Sequence, residues 1–192
     1  MKAKKKLACL FPGIGYTCDK PLLYYSRNLL LKRGWEVVCV SYSGFPAGVK
    51  GNAVKQEQCV AMAAEQAEAM LKKIRWSRYE DILFIGKSVG TVVGPAYAKA
   101  HGIDCRQVLF TPVEDTFSYV GPKAIAFHGT ADSWAETETI RNHCRRLGIP
   151  LYESPDANHS LETGHVGRDI RELGKVMRLV RYFAAGEERE RQ

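Results

Sequence analysis

Short apolar runs alternate with amphipathic stretches along the whole chain, and this alternation limits the possible folds more than any other feature. Strand and helix in regular succession is the pattern of a parallel sheet covered by helices on both faces. The pattern predicts strands at Lys6–Phe11, Glu36–Ser41, Asp81–Ile85, Gln107–Pro112, Lys123–His128 and Pro150–Glu153. It predicts helices over about Pro21–Arg33, Ala53–Arg75, Val89–Ala100, Glu136–Leu147 and Arg168–Ala185. The first of these is expected to be capped by Asp19 and stopped at Gly34. No repeat or low-complexity linker divides the 192 residues, so residues 1–192 read as a single domain.

One junction in this pattern carries chemistry. Gly86-Lys87-Ser88-Val89-Gly90 reads G-x-S-x-G, directly after the apolar run Ile82–Ile85 and directly before a helix. A serine on such a sharp strand-to-helix turn is a nucleophile elbow: its hydroxyl stands above the sheet edge. The glycines suit a turn too tight for Cβ atoms, and the free N–H groups of the helix start can receive an oxyanion. Lys87 is expected to face solvent. A phosphate-binding reading of Gly86-Lys87-Ser88 would need a glycine at position 81, where Asp stands.

Two partners follow in order. Asp132 comes just after the fifth predicted strand, in His128-Gly129-Thr130-Ala131-Asp132, and His159 just after the sixth, in Ala157-Asn158-His159-Ser160. In a parallel sheet the carboxyl ends of the strands share one edge, so Ser88, Asp132 and His159 can converge. Glu114 and Asp115 compete for the role of the acid, and His165 competes with His159; sequence context favours Asp132 and His159. His128 reads as a structural strand-end residue, and His101 and His143 as surface residues. After the first strand, Pro12-Gly13-Ile14-Gly15-Tyr16 can aim a backbone N–H at the serine. Ile14 is the favoured donor, Gly15 the alternative, and the N–H of Val89 completes the oxyanion hole.

With these four motifs in place, the chain resembles the α/β-hydrolase superfamily over nearly its whole length. The stretches "HGTAD" and "ANHSLE" are similar to the acid and histidine motifs of small bacterial esterase-like and dienelactone-hydrolase-like members. One departure is Pro12-Gly13, where many members have His-Gly. The resemblance implies a minimal three-layer α/β/α sandwich around a mostly parallel six-stranded sheet, in the order 2-1-3-4-5-6 and without the usual first hairpin. It also implies no cap: larger members place a helical lid between strands four and five, and here only Val113 to Pro122 lies there. An open site is expected, apart from whatever the Gly/Pro-rich loop Ser43–Asn52 covers.

The expected chemistry is acyl transfer from a small-molecule ester or thioester to water, without metal or other cofactor. Tyr16, Phe45, Phe117 and Trp134 lie in loops on the same edge and are candidates for lining a substrate pocket. Transfer to another acceptor, peptide cleavage and a non-enzymatic binding protein stand as the alternatives. A net charge of +7 raises the question of nucleic-acid binding. Basic residues are interleaved with acidic ones, and the one dense cluster, Lys2, Lys4, Lys5 and Lys6, has no aromatic partners, so the charge reads as a solvated surface. No apolar stretch approaches the roughly 20 residues of a membrane helix. Six scattered cysteines without a CxxC spacing read as reduced thiols of a cytoplasmic protein.

Overall fold

The computed structural model describes residues 5–186; Lys2 and Lys4 of the basic cluster fall outside that range. Six strands form one all-parallel sheet: β1 (Lys6–Phe11), β2 (Glu36–Cys39), β3 (Asp81–Lys87), β4 (Arg106–Phe110), β5 (Ala124–Gly129) and β6 (Leu151–Ser154). Their spatial order is β2-β1-β3-β4-β5-β6. The central strands are buried along nearly their whole length, which is why they read as unbroken apolar runs rather than alternating ones.

Five helices cover the sheet: α1 (Pro21–Leu31), α2 (Ala53–Leu71), α3 (Val89–Ala100), α4 (Thr137–Leu147) and α5 (Val166–Ala185). Leu22, Leu23 and Leu30 of α1 pack with Val176, Val180 and Ala184 of α5 on one face, against Leu10, Ile85, Phe110 and Phe127. On the other face, Ala63, Ala67 and Leu71 of α2 meet Val93 and Tyr97 of α3 over Phe11 and Phe84. Small side chains on α2 let the two helices approach closely. Ile140 and Cys144 of α4 complete that layer beside Leu109 and Ala126.

Several expected boundaries shift, each for a local reason. Asp19 does not cap α1: Lys20 holds the cap position without a side-chain bond, and Asp19 instead meets Arg27 at 3.3 Å. The helix ends at Leu31, before the left-handed Gly34. α2 starts as expected, with the Asn52 side chain accepting from the Lys55 N–H, but stops at Leu71. Beyond it the chain turns so that Ile74 and Trp76 pack into the core, Trp76 against Phe84 at 5.7 Å. β3 runs on to Lys87 because Lys87 still pairs with Phe110 of β4. The β4–β5 connection holds only a short 3-10 turn, Glu114–Ser118, whose Thr116 and Phe117 point inward. No helix among the described residues is long and apolar enough to cross a membrane. All six cysteines are free thiols; five are buried and Cys39 is half-buried.

Candidate active site

The elbow is built by strain held in place on several sides. Ser88 has φ 53° and ψ −120°, a conformation that L side chains rarely adopt. Its N–H donates to the Phe110 carbonyl at 3.0 Å, tying the turn to β4. Its carbonyl accepts from the Thr91 N–H at 2.8 Å and from the Thr91 hydroxyl at 2.6 Å. Thr91 in turn meets the Thr116 hydroxyl at 2.6 Å, so the β4–β5 turn braces the first turn of α3. The elbow turn was legible in the sequence, but the bracing of Thr91 by Thr116 was not, because it joins residues 25 apart.

Ser88, His159 and Asp132 come together at the carboxyl ends of β3, β6 and β5. His159 Nε2 lies 2.8 Å from Ser88 Oγ, and His159 Nδ1 lies 2.7 Å from Asp132 Oδ2. An ionised carboxylate only accepts, so Nδ1 carries the imidazole proton and Nε2 accepts from the Ser88 hydroxyl. The second Asp132 oxygen accepts from the Trp134 N–H at 2.8 Å. Burial pushes the Asp132 carboxyl up, but its bond to His159, that residue's charge and the Trp134 N–H outweigh it and hold it below its ordinary value. Burial lowers His159 below its ordinary value despite the opposing bond to Asp132, and the positive charge of Lys87 adds to the lowering.

The loops that carry these residues are locked from below. The Ala131 N–H donates to the Ala157 carbonyl at 2.9 Å, fastening the acid loop to the histidine loop. The Asn158 side chain accepts from the Ser160 and Glu162 N–H groups at 2.7 and 3.2 Å, an Asx turn that presents His159. Trp134 stacks on the imidazole with ring centroids 5.3 Å apart. His128 lies fully buried behind Asp132, with Nε2 3.0 Å from Thr137 Oγ1 and Nδ1 3.9 Å from Asp132 Oδ2.

Among the described residues the competitors take no part in this hydrogen-bonded chain, and Glu114 and Asp115 line the same cleft as Ser88. Glu114 and Asp115 sit exposed on the short 3-10 turn, and Glu114 faces His143 at 3.8 Å. His165 is exposed at the start of α5. His143 stacks on Phe117, and His101 lies tilted against Tyr97 with ring centroids 4.2 Å apart.

An open cleft of about 600 Å³ leads to Ser88, lined by Ile14, Val89, Val92, Trp134 and Tyr119, and by Gln56 and Val60 of α2. The contribution of α2 has no signal in the sequence. Of the aromatic candidates, Trp134 lines this cleft. Phe45 packs beside Tyr42, Phe117 is buried against α4, and Tyr16 is buried with its hydroxyl accepting from the Leu22 N–H at 3.1 Å. Gly13 packs against Lys87 and Ser88, which brings the Ile14 loop beside the elbow. Among the described residues, the N–H groups of Ile14 and Val89 donate to no protein acceptor. Lys50 reaches from the Ser43–Asn52 loop to Ser133 at 2.7 Å and bridges the rim. Lys87 corrects the sequence expectation. It does not face solvent: it is 1% exposed and lies over the Tyr16 ring, 5.0 Å from its centroid.

In sequence the chain matches no protein-family profile and no curated protein. In fold it is similar to solved α/β-hydrolase structures. An α/β serine hydrolase without a lid from Xanthomonas campestris superposes with a TM-score of 0.59 at 16% identity, covering 94% of this chain and 84% of that one. Est1E from Butyrivibrio proteoclasticus, solved with ferulic acid bound, gives a TM-score of 0.69 at 13% identity over 96% and 90% of the two chains. Esterase 2 of Thermogutta terrifontis gives 0.65 at 19% identity over 95% and 84%. The chain thus has the α/β-hydrolase fold in a form without a cap.

Proposed function

We propose that the protein is a serine hydrolase that cleaves a small carboxylic ester or thioester through an acyl-enzyme intermediate. The observation that carries this reading is the unbroken hydrogen-bonded chain from Ser88 through His159 to Asp132, opening on a cleft. The Ser88 oxygen attacks the carbonyl carbon while its proton passes to His159 Nε2. Asp132 keeps the proton on Nδ1 and stabilises the imidazolium. The N–H groups of Val89 and Ile14 receive the oxyanion, an effect worth roughly 3–4 kcal/mol per donor. The tetrahedral adduct collapses and expels the alcohol or thiol, which takes the proton from His159. Water then adds to the acyl-enzyme as His159 removes its proton, and the acid leaves Ser88 free.

Labelling with a fluorophosphonate probe, followed by peptide mapping, tests the nucleophile. Ser88 is expected to carry the label, and Ser88→Ala to abolish it. A screen of p-nitrophenyl esters of increasing chain length beside acyl-CoA thioesters tests the substrate class. No turnover of any of them, with Ser88 unlabelled, would sink the reading.

A further inference from the structure

One stripe of α2 changes its role along the helix. Ala63, Ala67 and Leu71, at helical spacing, are buried in the core that α2 shares with α3. Continued towards the start of α2, the same stripe reads Val60, Gln56 and Ala53, and these residues line the cleft that leads to Ser88. Val60 is half-buried and packs, like Ile14, against the core cluster that contains Val89. The stripe is thus core alongside α3 and cleft wall near the elbow.

The Ser43–Asn52 loop fixes this wall. The Asn52 side chain accepts from the Lys55 N–H at 3.0 Å, and Lys55 Nζ donates to the Ala47 carbonyl at 2.7 Å. Gln56 Nε2 donates to the Val49 carbonyl at 3.4 Å. Further along, the Gln66 side chain accepts from the Ser43 N–H at 2.9 Å and donates to the Ser43 carbonyl at 3.0 Å. A wall on an anchored helix can select substrates by shape.

The chemistry decides which part of an ester meets it. The leaving oxygen takes its proton from His159 Nε2, so the alcohol lies on the imidazole side, where Trp134 stacks on the ring at 5.3 Å. The oxyanion points at the N–H groups of Ile14 and Val89. The acyl chain is left with the direction away from the imidazole. His159 follows β6 at one edge of the sheet, whereas α2 joins β2 to β3 and packs over β1 and β3 in the other half. On that side the cleft offers Val60 and Val92. Its apolar length is short: Gln56 stands one turn, about 6 Å, beyond Val60. There the Gln56 amide and the Glu57 carboxylate line the cleft, and a longer chain would strip water from them.

We propose that the first two turns of α2 form the acyl subsite, with Val60 beside the reacting carbonyl and Gln56 closing the far end, so that the substrate is an ester of a short straight-chain acid of about butyryl size. This rests on the reading of Ser88 as nucleophile and deepens it.

Two series of esters test the assignment: p-nitrophenyl esters from acetate to octanoate, and acetates of alcohols of increasing size. In the wild type kcat/KM is expected to rise to butyrate and fall beyond it. Val60→Phe fills the subsite and is expected to lower the butyrate-to-acetate ratio by about tenfold or more. Gln56→Leu makes the far end apolar and is expected to raise the octanoate-to-butyrate ratio about three- to tenfold. The ranking of the alcohols is expected to stay as in the wild type. A merely structural role would lower all esters together and leave both ratios in place, which overturns the proposal. A change in the alcohol ranking instead of the acyl ranking also overturns it. If Val60→Phe does not fold, Val60→Ala, a good helix former, is expected to raise the hexanoate-to-butyrate ratio, and an unchanged ratio overturns the proposal. A second measurement does not depend on turnover: the rate at which ethyl p-nitrophenyl alkylphosphonates modify Ser88, forming the O–P bond as p-nitrophenolate leaves. The same dependence on chain length, shifted by the same variants, supports the subsite even if no ester is hydrolysed, in which case only the hydrolase reading falls. Hydrolysis with ratios that none of these variants moves overturns the subsite alone, and neither labelling nor hydrolysis overturns both.

Discussion

Gly90 packs so tightly under Phe11 that a Cβ at position 90 would overlap the Phe11 carbonyl oxygen and stand 2.7 Å from the Pro12 oxygen. This approach docks the first turn of α3 beneath the end of β1. It is the contact that sets the Pro12–Tyr16 loop beside Ser88. Gly90→Ala must therefore displace backbone, not a flexible side chain. It is expected to cost about 1–3 kcal/mol or more and to disturb the site. Gly174 is the contrast: it lies within α5, exposed, with nothing within 4 Å of its Cβ position. Gly174→Ala is expected to stabilise by up to about 1 kcal/mol. Thermal melts followed by circular dichroism check both; a neutral Gly90→Ala would mean that the α3–β1 approach is looser than described.

Asp132 meets His159 with one oxygen and accepts from the Trp134 N–H with the other. Asp132→Asn is expected to lower kcat by roughly 10⁴-fold, as for triad acids elsewhere. Glu114→Gln, at an exposed rim position, is expected to change kcat by less than about tenfold. The reverse ranking in steady-state assays would reassign the acid.

Activity should persist into mild acid. His159 must be neutral to accept the Ser88 proton, and its folded-state value lies below the ordinary imidazole value. The neutral fraction therefore survives to lower pH than for a free histidine. The acid limb of kcat/KM is expected to have its midpoint below about 6.5. A midpoint at or above that value in the wild type would contradict the burial of the imidazole.

Lys87 should also leave a mark on stability. Its folded-state value, about 7, lies below that of a lysine in the unfolded chain, so between the two the unfolded state binds more protons. Stability from this group is therefore expected to rise with pH from about 7 towards about 10.4, and to be flat below 7. Denaturant melts across this range compare the wild type with Lys87→Met, which should lose that rise and gain stability at neutral pH.

Without a cap there is no closed state for an oil–water interface to open. Phe110 and Ala124 are joined by one short turn whose Thr116 and Phe117 are already packed inward. Hydrolysis of p-nitrophenyl butyrate is expected to follow a smooth saturation curve, with no jump at the solubility limit. A jump would mean that the Ser43–Asn52 segment moves over Ser88, breaking the Lys50–Ser133 bond.

The strand order came from the resemblance to α/β-hydrolases; the sequence by itself determined the layer architecture and the positions of Ser88, Asp132 and His159. These depend on short-range patterns: unbroken apolar runs for strands buried on both faces, helical periodicity between them, and a Gly-x-Ser-x-Gly turn at one junction. Parallel topology does the rest, since it sends every strand end to one edge. Asp132 could be chosen over Glu114 and Asp115 by its His-Gly-Thr-Ala-Asp context, and His159 over His165 because it directly follows a strand. Tertiary structure alone decided how the site is braced and walled. The Thr91–Thr116 bond, the Trp134–His159 stack and the α2 side of the cleft join residues distant in sequence. Only tertiary structure decided the fate of Lys87, too. In one dimension a lysine in a turn reads as solvated, because its charge favours water. The space behind the elbow, roofed by Gly13 and floored by Tyr16, is made by loops packing together, and no local pattern encodes it.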